Sequence, residues 1–333
     1  MSELLRALAS HVRTLPPDDV HVVPGREWLE DSHSLPAAEA RMGRAKVVEP
    51  SGGIQPKPVG DAQVGRFSYF LDGIQCTRAP LYYSMVPVVY AYTAACVRRR
   101  DPDGKMCGHD SSSRESLYFP FGLIDPTALG TSSIRITDTT PSDSKLEEHP
   151  QAIIEAARSR ISRSREEMEA DLASQWLAQH SGGSDWLLVD GSLSGDYDHY
   201  DCPNIVGMIK SHQTQYFDIS DQRKILSLKP GERSGVFVPL GRKRREVYSW
   251  YLRMRPNTGQ DVYFGLVRVE AAACERTFEL VDEISRWILA ERAPLSMPDS
   301  RWDKMIYPIR DCEQYLRANA PSPIMLESVM SGA

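Results

Sequence analysis

Apolar residues are sparse up to residue 60, alternate or run together between 66 and 136, and recur at helical spacing from 150 to 180. The opening segment holds a short amphipathic helix, residues 3–15, closed by Pro16-Pro17, and then a polar, Pro- and Gly-rich stretch to Pro58. Residues 1–60 therefore read as an N-terminal arm, suited to a partner, rather than as core. From Arg66 the pattern turns to strands: 67–72, a long one at 81–91 continued past a bend at 94–98, and shorter ones at 117–121 and 134–136. Residues 101–116 read as a polar loop. Strands in succession without helices between them predict an antiparallel meander.

The clearest helix covers 145–180, with Ile154, Ile161, Met168, Leu172 and Trp176 on one face. Pro150 sits near its start, where a missing amide is harmless, and Ser181-Gly182-Gly183 ends it. Strands follow at 186–189, 204–210, 236–240, 247–255 and 262–270, then helices at 278–291 and 306–317. Together these predict an α/β fold: a mixed central sheet flanked by helices over 61–320, with a C-terminal tail at 321–333.

Two apolar runs end alike. Phe67-Ser68-Tyr69-Phe70-Leu71 leads into Asp72-Gly73, and Trp186-Leu187-Leu188-Val189 leads into Asp190-Gly191-Ser192. Asp-Gly after a strand is commonly no more than a turn. Two copies also place two carboxylates side by side at one sheet edge, where they repel unless a cation sits between them. That arrangement suits a divalent metal and phosphodiester chemistry. On the helix between them, Glu169 lies at the margin of the apolar stripe. Glu166 is farther round, and Glu167 and Asp171 face solvent.

Composition narrows the picture. With 333 residues, 41% hydrophobic and 25% charged, the chain is that of a globular protein with a large core. It has no membrane-length apolar segment and no signal-peptide core at its start, and its six scattered cysteines read as reduced thiols, so a cytoplasmic protein is expected. Cys107-Gly108-His109 has no second Cys/His pair to complete a soft-metal site. A net charge of −6 argues against a protein that grips long nucleic acid unaided, although Arg98-Arg99-Arg100 and Arg242-Lys243-Arg244-Arg245 are basic clusters.

Strand-Asp, meander, Glu-bearing helix, strand-Asp and a late helix with further acids is the layout of an RNase H-like fold. More specifically, the chain resembles the NurA nuclease family in five segments: Phe70-Leu71-Asp72-Gly73, residues 187–193, Val206-Gly207-Met208-Ile209-Lys210, residues 264–270, and Tyr307-Pro308. It departs from the family where the first site reads Asp-Gly-Ile rather than Asp-Gly-Ser. It also departs in having no histidine after Tyr307-Pro308. The resemblance implies a manganese-dependent nuclease (Mn²⁺, or Mg²⁺, in a pair of ions) that resects DNA ends. It would work as a homodimer with a HerA-type hexameric ATPase, in break repair or anti-phage defence. Asp72 and Asp190 would be metal ligands and Glu169 would hold one ion. Asp311 would take the fourth position, with Glu313 as its alternative. Lys210 would hold a phosphate or be a plain strand-end lysine, and Arg268 and Glu270 would form a supporting pair. Two rivals remain: a subunit that clamps DNA for an ATPase without cutting it, and an RNase H-like enzyme acting on RNA.

Overall fold

The computed structural model describes residues 3–22, 41–49, 53–61, 64–129, 134–141, 148–180, 182–193, 202–241, 246–292, 303–324 and 327–328. Its main elements in chain order begin with α1 (Glu3–Val12), β1 (Phe67–Tyr83), β2 (Val86–Arg100), β3 (Met106–Phe119), α2 (Pro150–His180) and β4 (Trp186–Asp190). They continue with β5 (Ile205–Ile209), α3 (Ile219–Leu226), β6 (Val247–Arg253), β7 (Leu266–Ala272), α4 (Glu275–Glu291) and α5 (Tyr307–Asn319). Shorter strands are named by their residues.

The main strands lie in the order β6-β7-β5-β4-β1-β2-β3 within one mixed sheet, 13-stranded among the described residues. β4 is parallel to both of its neighbours, β1 and β5, and β1-β2-β3 form the antiparallel meander. Two apolar layers result, one on each face of the sheet. On one face, α2 lays Met168, Leu172, Trp176 and Leu177 on Leu71, Val97, Leu187 and Val189. On the other face, α1, α4 and α5 bury Leu8, Ile284, Trp287, Ile309 and Leu316 against Phe70, Leu188, Met208 and Val269. A central strand apolar on both faces is what Leu187-Leu188-Val189 predicts, and all three are buried.

Several expectations need correction. β1 does not stop at Asp72 but runs on for 17 residues, bulging between Arg78 and Leu81, where Ala79-Pro80 cannot complete the ladder. Its hairpin turn is at Ser84 and Met85, both at positive φ. The loop expected at 101–116 is mostly β3, an edge strand whose exposed middle pairs with β2 alone. Ser111, Ser112, Ser113 and Arg114 in its middle are exposed, so no apolar alternation betrays it. Cys202 and Cys274 are joined in a disulfide, whereas reduced thiols were expected throughout. Arg98 and Arg100 are spent on internal pairs with Asp311 (2.8 Å) and Glu291 (2.6 Å), leaving Arg99 as the exposed member of that cluster. The cluster at 242–245 and the expected helix end at Ser181 lie outside the described residues.

The N-terminal segment is also more built in than an arm. Leu4, Leu5, Leu8, Ala9 and Val12 are all buried in the main core, so this stripe is not presented to a partner. Farther on, Ala45–Val47 pairs with Phe237–Pro239, and Glu49 bonds Arg233 at 3.0 Å and Lys57 at 2.6 Å. Burial would raise the Glu49 carboxyl. The hydrogen bonds from Arg233 and Lys57 outweigh it and bring the pKa down to about 2. Because the folded value lies below the ordinary 4.5, the stabilisation is complete above pH 4.5 and fades as pH falls toward 2. Glu49→Gln should therefore cost about 2 kcal/mol at neutral pH, and less at each step below pH 4.5. Urea unfolding of the two proteins at several pH values would show the gap closing; a constant gap would refute the linkage.

Candidate active site

β1 and β4 are in parallel register with Leu71 opposite Val189, so Asp72 and Asp190 follow at the same level on adjacent strands. Asp190 ends its strand, and Gly191 takes the exit at φ 133°, a conformation that suits glycine. The chain then folds over β5, where a Cβ at position 207 would lie 2.5 Å from the Gly191 carbonyl oxygen. Gly207 thus permits the close crossing. Glu270, fully buried on β7, fixes the same exit by accepting from the Leu193 amide at 3.0 Å, while Arg268 bonds its other oxygen. This is the supporting pair that was expected.

Gly73 has a different job from the turn its sequence suggests. It lies inside β1, and a Cβ there would overlap the Glu169 carboxylate that leans across the strand from α2. The missing side chain is the space that Glu169 fills. Glu169 is buried, as its place beside Leu172 and Trp176 requires, whereas Glu166 is exposed. α5 completes the site from the opposite face. Cys312 Sγ donates to the Phe70 carbonyl at 3.5 Å, which sets the helix on β1 beside Asp72.

Asp72, Asp190, Lys210, Arg165, Glu313 and Arg317 line one cavity of about 360 Å³. Four of the five site residues expected from the sequence thus meet here, counting Glu169 against Gly73. Asp311 does not line the cavity, because its carboxylate accepts from Arg98 Nε at 2.8 Å. Glu313, one turn from Arg317, takes the place in the cavity wall. Arg165 and Arg317 were not anticipated. On sequence alone each is one arginine on a charged helix, and only the packing shows which face it joins.

Burial raises the Asp72 carboxyl well above its ordinary range; Asp190 and Glu169 push it the same way, and Lys210 opposes them. Burial likewise pushes Glu169 up to about 7, against the pull of Arg165 and with a further push from Asp190. Both acids are held above their ordinary range chiefly by burial, Glu169 in spite of its bond to Arg165. All the converging donors are carboxylate oxygens, the ligand type of Mg²⁺ and Mn²⁺, so the residues suit such an ion. They are not gathered for it in this arrangement: among the described residues no group of three or more His, Cys, Asp or Glu stands ready to hold a metal. Lys210 is 2.8 Å from Asp190, and Arg165 is bonded to Glu169, each in the position of a counter-cation.

Comparison with protein-family models and with curated proteins found no match to this chain. No helix among the described residues is long and apolar enough to cross a membrane.

Proposed function

We propose that the protein is a divalent-metal-dependent nuclease that hydrolyses phosphodiester bonds in DNA. The observation that carries this reading is the pairing of Asp72 and Asp190 at one level of adjacent parallel strands, with Glu169 leaning in over Gly73. The strand order β3-β2-β1-β4-β5, with a helix between β3 and β4, supports an RNase H-like arrangement. Two bound divalent ions would supply an activated water and neutralise charge on the attacking and leaving oxygens. Asp72, Asp190, Glu169 and Glu313 would hold them; Glu313 replaces Asp311 in this role. Lys210 would set its ammonium against a phosphate oxygen. Glu270 acts through the Leu193 amide, holding the Asp190 exit in place.

On the resemblance to NurA nucleases, the chain works as a homodimer with a HerA-type ATPase that feeds it DNA. The net charge of −6 fits a nuclease that depends on delivery. A second reading, a subunit that clamps DNA without cutting it, is favoured by one observation: Asp190 and Glu169 already have side-chain cations. Digestion of end-labelled single- and double-stranded DNA and of RNA by the purified chain in Mn²⁺ separates these. Metal-dependent DNA products are expected; binding without products would favour the clamp, and products from RNA alone the RNA reading.

Gly73→Ala offers an independent check on the Glu169 assignment. The added methyl group displaces the Glu169 carboxylate, and cleavage should fall about 10–100-fold, the usual scale for misplacing a metal-site group. Stability should change by only about 1 kcal/mol, since the overlap is mainly with the far end of a side chain. Normal cleavage by Gly73→Ala would remove Glu169 from the site.

A further inference from the structure

The acids around the cavity come with cations of their own. Arg165 Nη1 donates to Glu169, Lys210 Nζ to Asp190 at 2.8 Å, and Arg317 Nε to Glu313 at 3.0 Å. Asp72 accepts from the Gly73 amide at 2.8 Å and has no ion pair among the described residues. Arg165, Lys210 and Arg317 all line the cavity they neutralise. Two of the three pairs are the same device on different helices, an Arg and a Glu four residues apart, on α2 and on α5.

We propose that these three cations form an exchangeable phosphate clamp. Without a divalent ion they neutralise the carboxylates; when an ion takes the carboxylates, they turn to the phosphates of the nucleic acid. This rests on the nuclease reading above and names how metal and substrate are coupled at that site. The exchange follows from charge balance. A divalent ion among Asp72, Asp190, Glu169 and Glu313 competes for the oxygens that the three cations hold and repels the cations themselves. Freed guanidinium groups are matched in shape to phosphate, which accepts two parallel hydrogen bonds from each.

The side chains differ in how readily they can turn. Arg317 is 52% exposed and Arg165 23%, while Lys210 is 12% exposed and also touches Met305 Sδ. The exposed Glu313–Arg317 pair is of a kind that costs little to break, whereas Arg165 can leave the buried Glu169 only as an ion takes its place. The two arginines should therefore carry most of the exchange, with Lys210 moving least. Ion and nucleic acid then favour each other's binding, by the same factor in either direction.

The test uses the full chain, Mn²⁺, and a short fluorescent single-stranded oligonucleotide with phosphorothioate linkages to slow cleavage. Mn²⁺ binding is followed by calorimetry with and without the oligonucleotide, and oligonucleotide binding by anisotropy with and without Mn²⁺. For the wild type each ligand should tighten the other by about tenfold. In the Arg165→Gln/Arg317→Gln variant, shown to be folded by circular dichroism, Mn²⁺ alone should bind as tightly as in wild type or more so. Its oligonucleotide binding in Mn²⁺ should fall about tenfold, with the coupling factor approaching one. Wild-type coupling in that variant would overturn the clamp while leaving the nuclease reading intact, because cleavage of the unmodified strand is scored separately. Weaker Mn²⁺ binding by the variant would also overturn it, since the arginines would then be supporting the acids. A wild type that neither binds Mn²⁺ nor cleaves would overturn both.

Discussion

Asp72→Asn should abolish metal-dependent cleavage, by about a thousandfold or more, and leave the protein as stable as before or more so. The first effect follows from losing a ligand worth several kcal/mol of charge stabilisation in the reaction. The second follows from burial. Asp72 is held with its carboxyl above the ordinary range by burial and by Asp190, so its ionised form is a cost to the fold. That cost is absent below the ordinary value of 3.8, where the acid is neutral folded or unfolded, grows as pH rises from there, and is complete above the folded value. An amide of the same shape escapes it. Asp190→Asn should be equally inactive but less stable, because it deprives the largely buried Lys210 of its partner. Cleavage assays and urea unfolding together test this divergence. Wild-type cleavage by Asp72→Asn would defeat the site assignment, and a large loss of stability would defeat the account of its burial.

Arg253→Met should cost about 4 kcal/mol of stability, the largest effect expected from a residue remote from the cavity. Arg253 is fully buried on β6, and its guanidinium donates to four backbone carbonyls: Leu226, Leu228, Val262 and Phe264. Two of them close the C-terminal end of α3, where a positive group also meets the negative end of the helix. Burial lowers its pKa without removing its charge near neutral pH. Methionine fills similar space but makes none of these four bonds. Arg253→Lys should recover part of the loss, since one ammonium cannot span all four. Urea midpoints for both variants decide the matter, and a cost under about 1 kcal/mol for Arg253→Met would refute it.

The sequence made some of this legible and hid the rest for identifiable reasons. Periodicity alone set the phase of α2 and placed Glu169 at its buried margin, because a 31-residue helix repeats its signal many times. The buried run at 186–189 was equally clear. Asp72-Gly73 misled, since a glycine that makes room for a neighbouring carboxylate is written like one that makes a turn. β3 was hidden because an exposed edge strand needs no apolar face. The Cys202–Cys274 bond was hidden because 72 residues separate its ends. Arg165 and Arg317 were hidden because helix arginines near glutamates ordinarily face water. Asp311 and Glu313 look alike in the sequence, and only the bond from Arg98 to Asp311 separates them.

The two acids at the heart of the cavity ride on backbone of unequal permanence. Asp72 sits well inside a 17-residue strand, opposite Cys96 of β2 and one residue past the last pair with β4, so exposing its amide means opening the long β1–β2 ladder. Asp190 is the last residue of its strand, and the Gly191 amide beyond it is held by the Met208 carbonyl at 3.0 Å. Local opening draws on strand ends before strand centres. Amide hydrogen exchange should therefore be slowest around Asp72 and markedly faster from Gly191 to Leu193. Mild denaturant should accordingly unfasten the Asp190 half of the site while the Asp72 half stays in place.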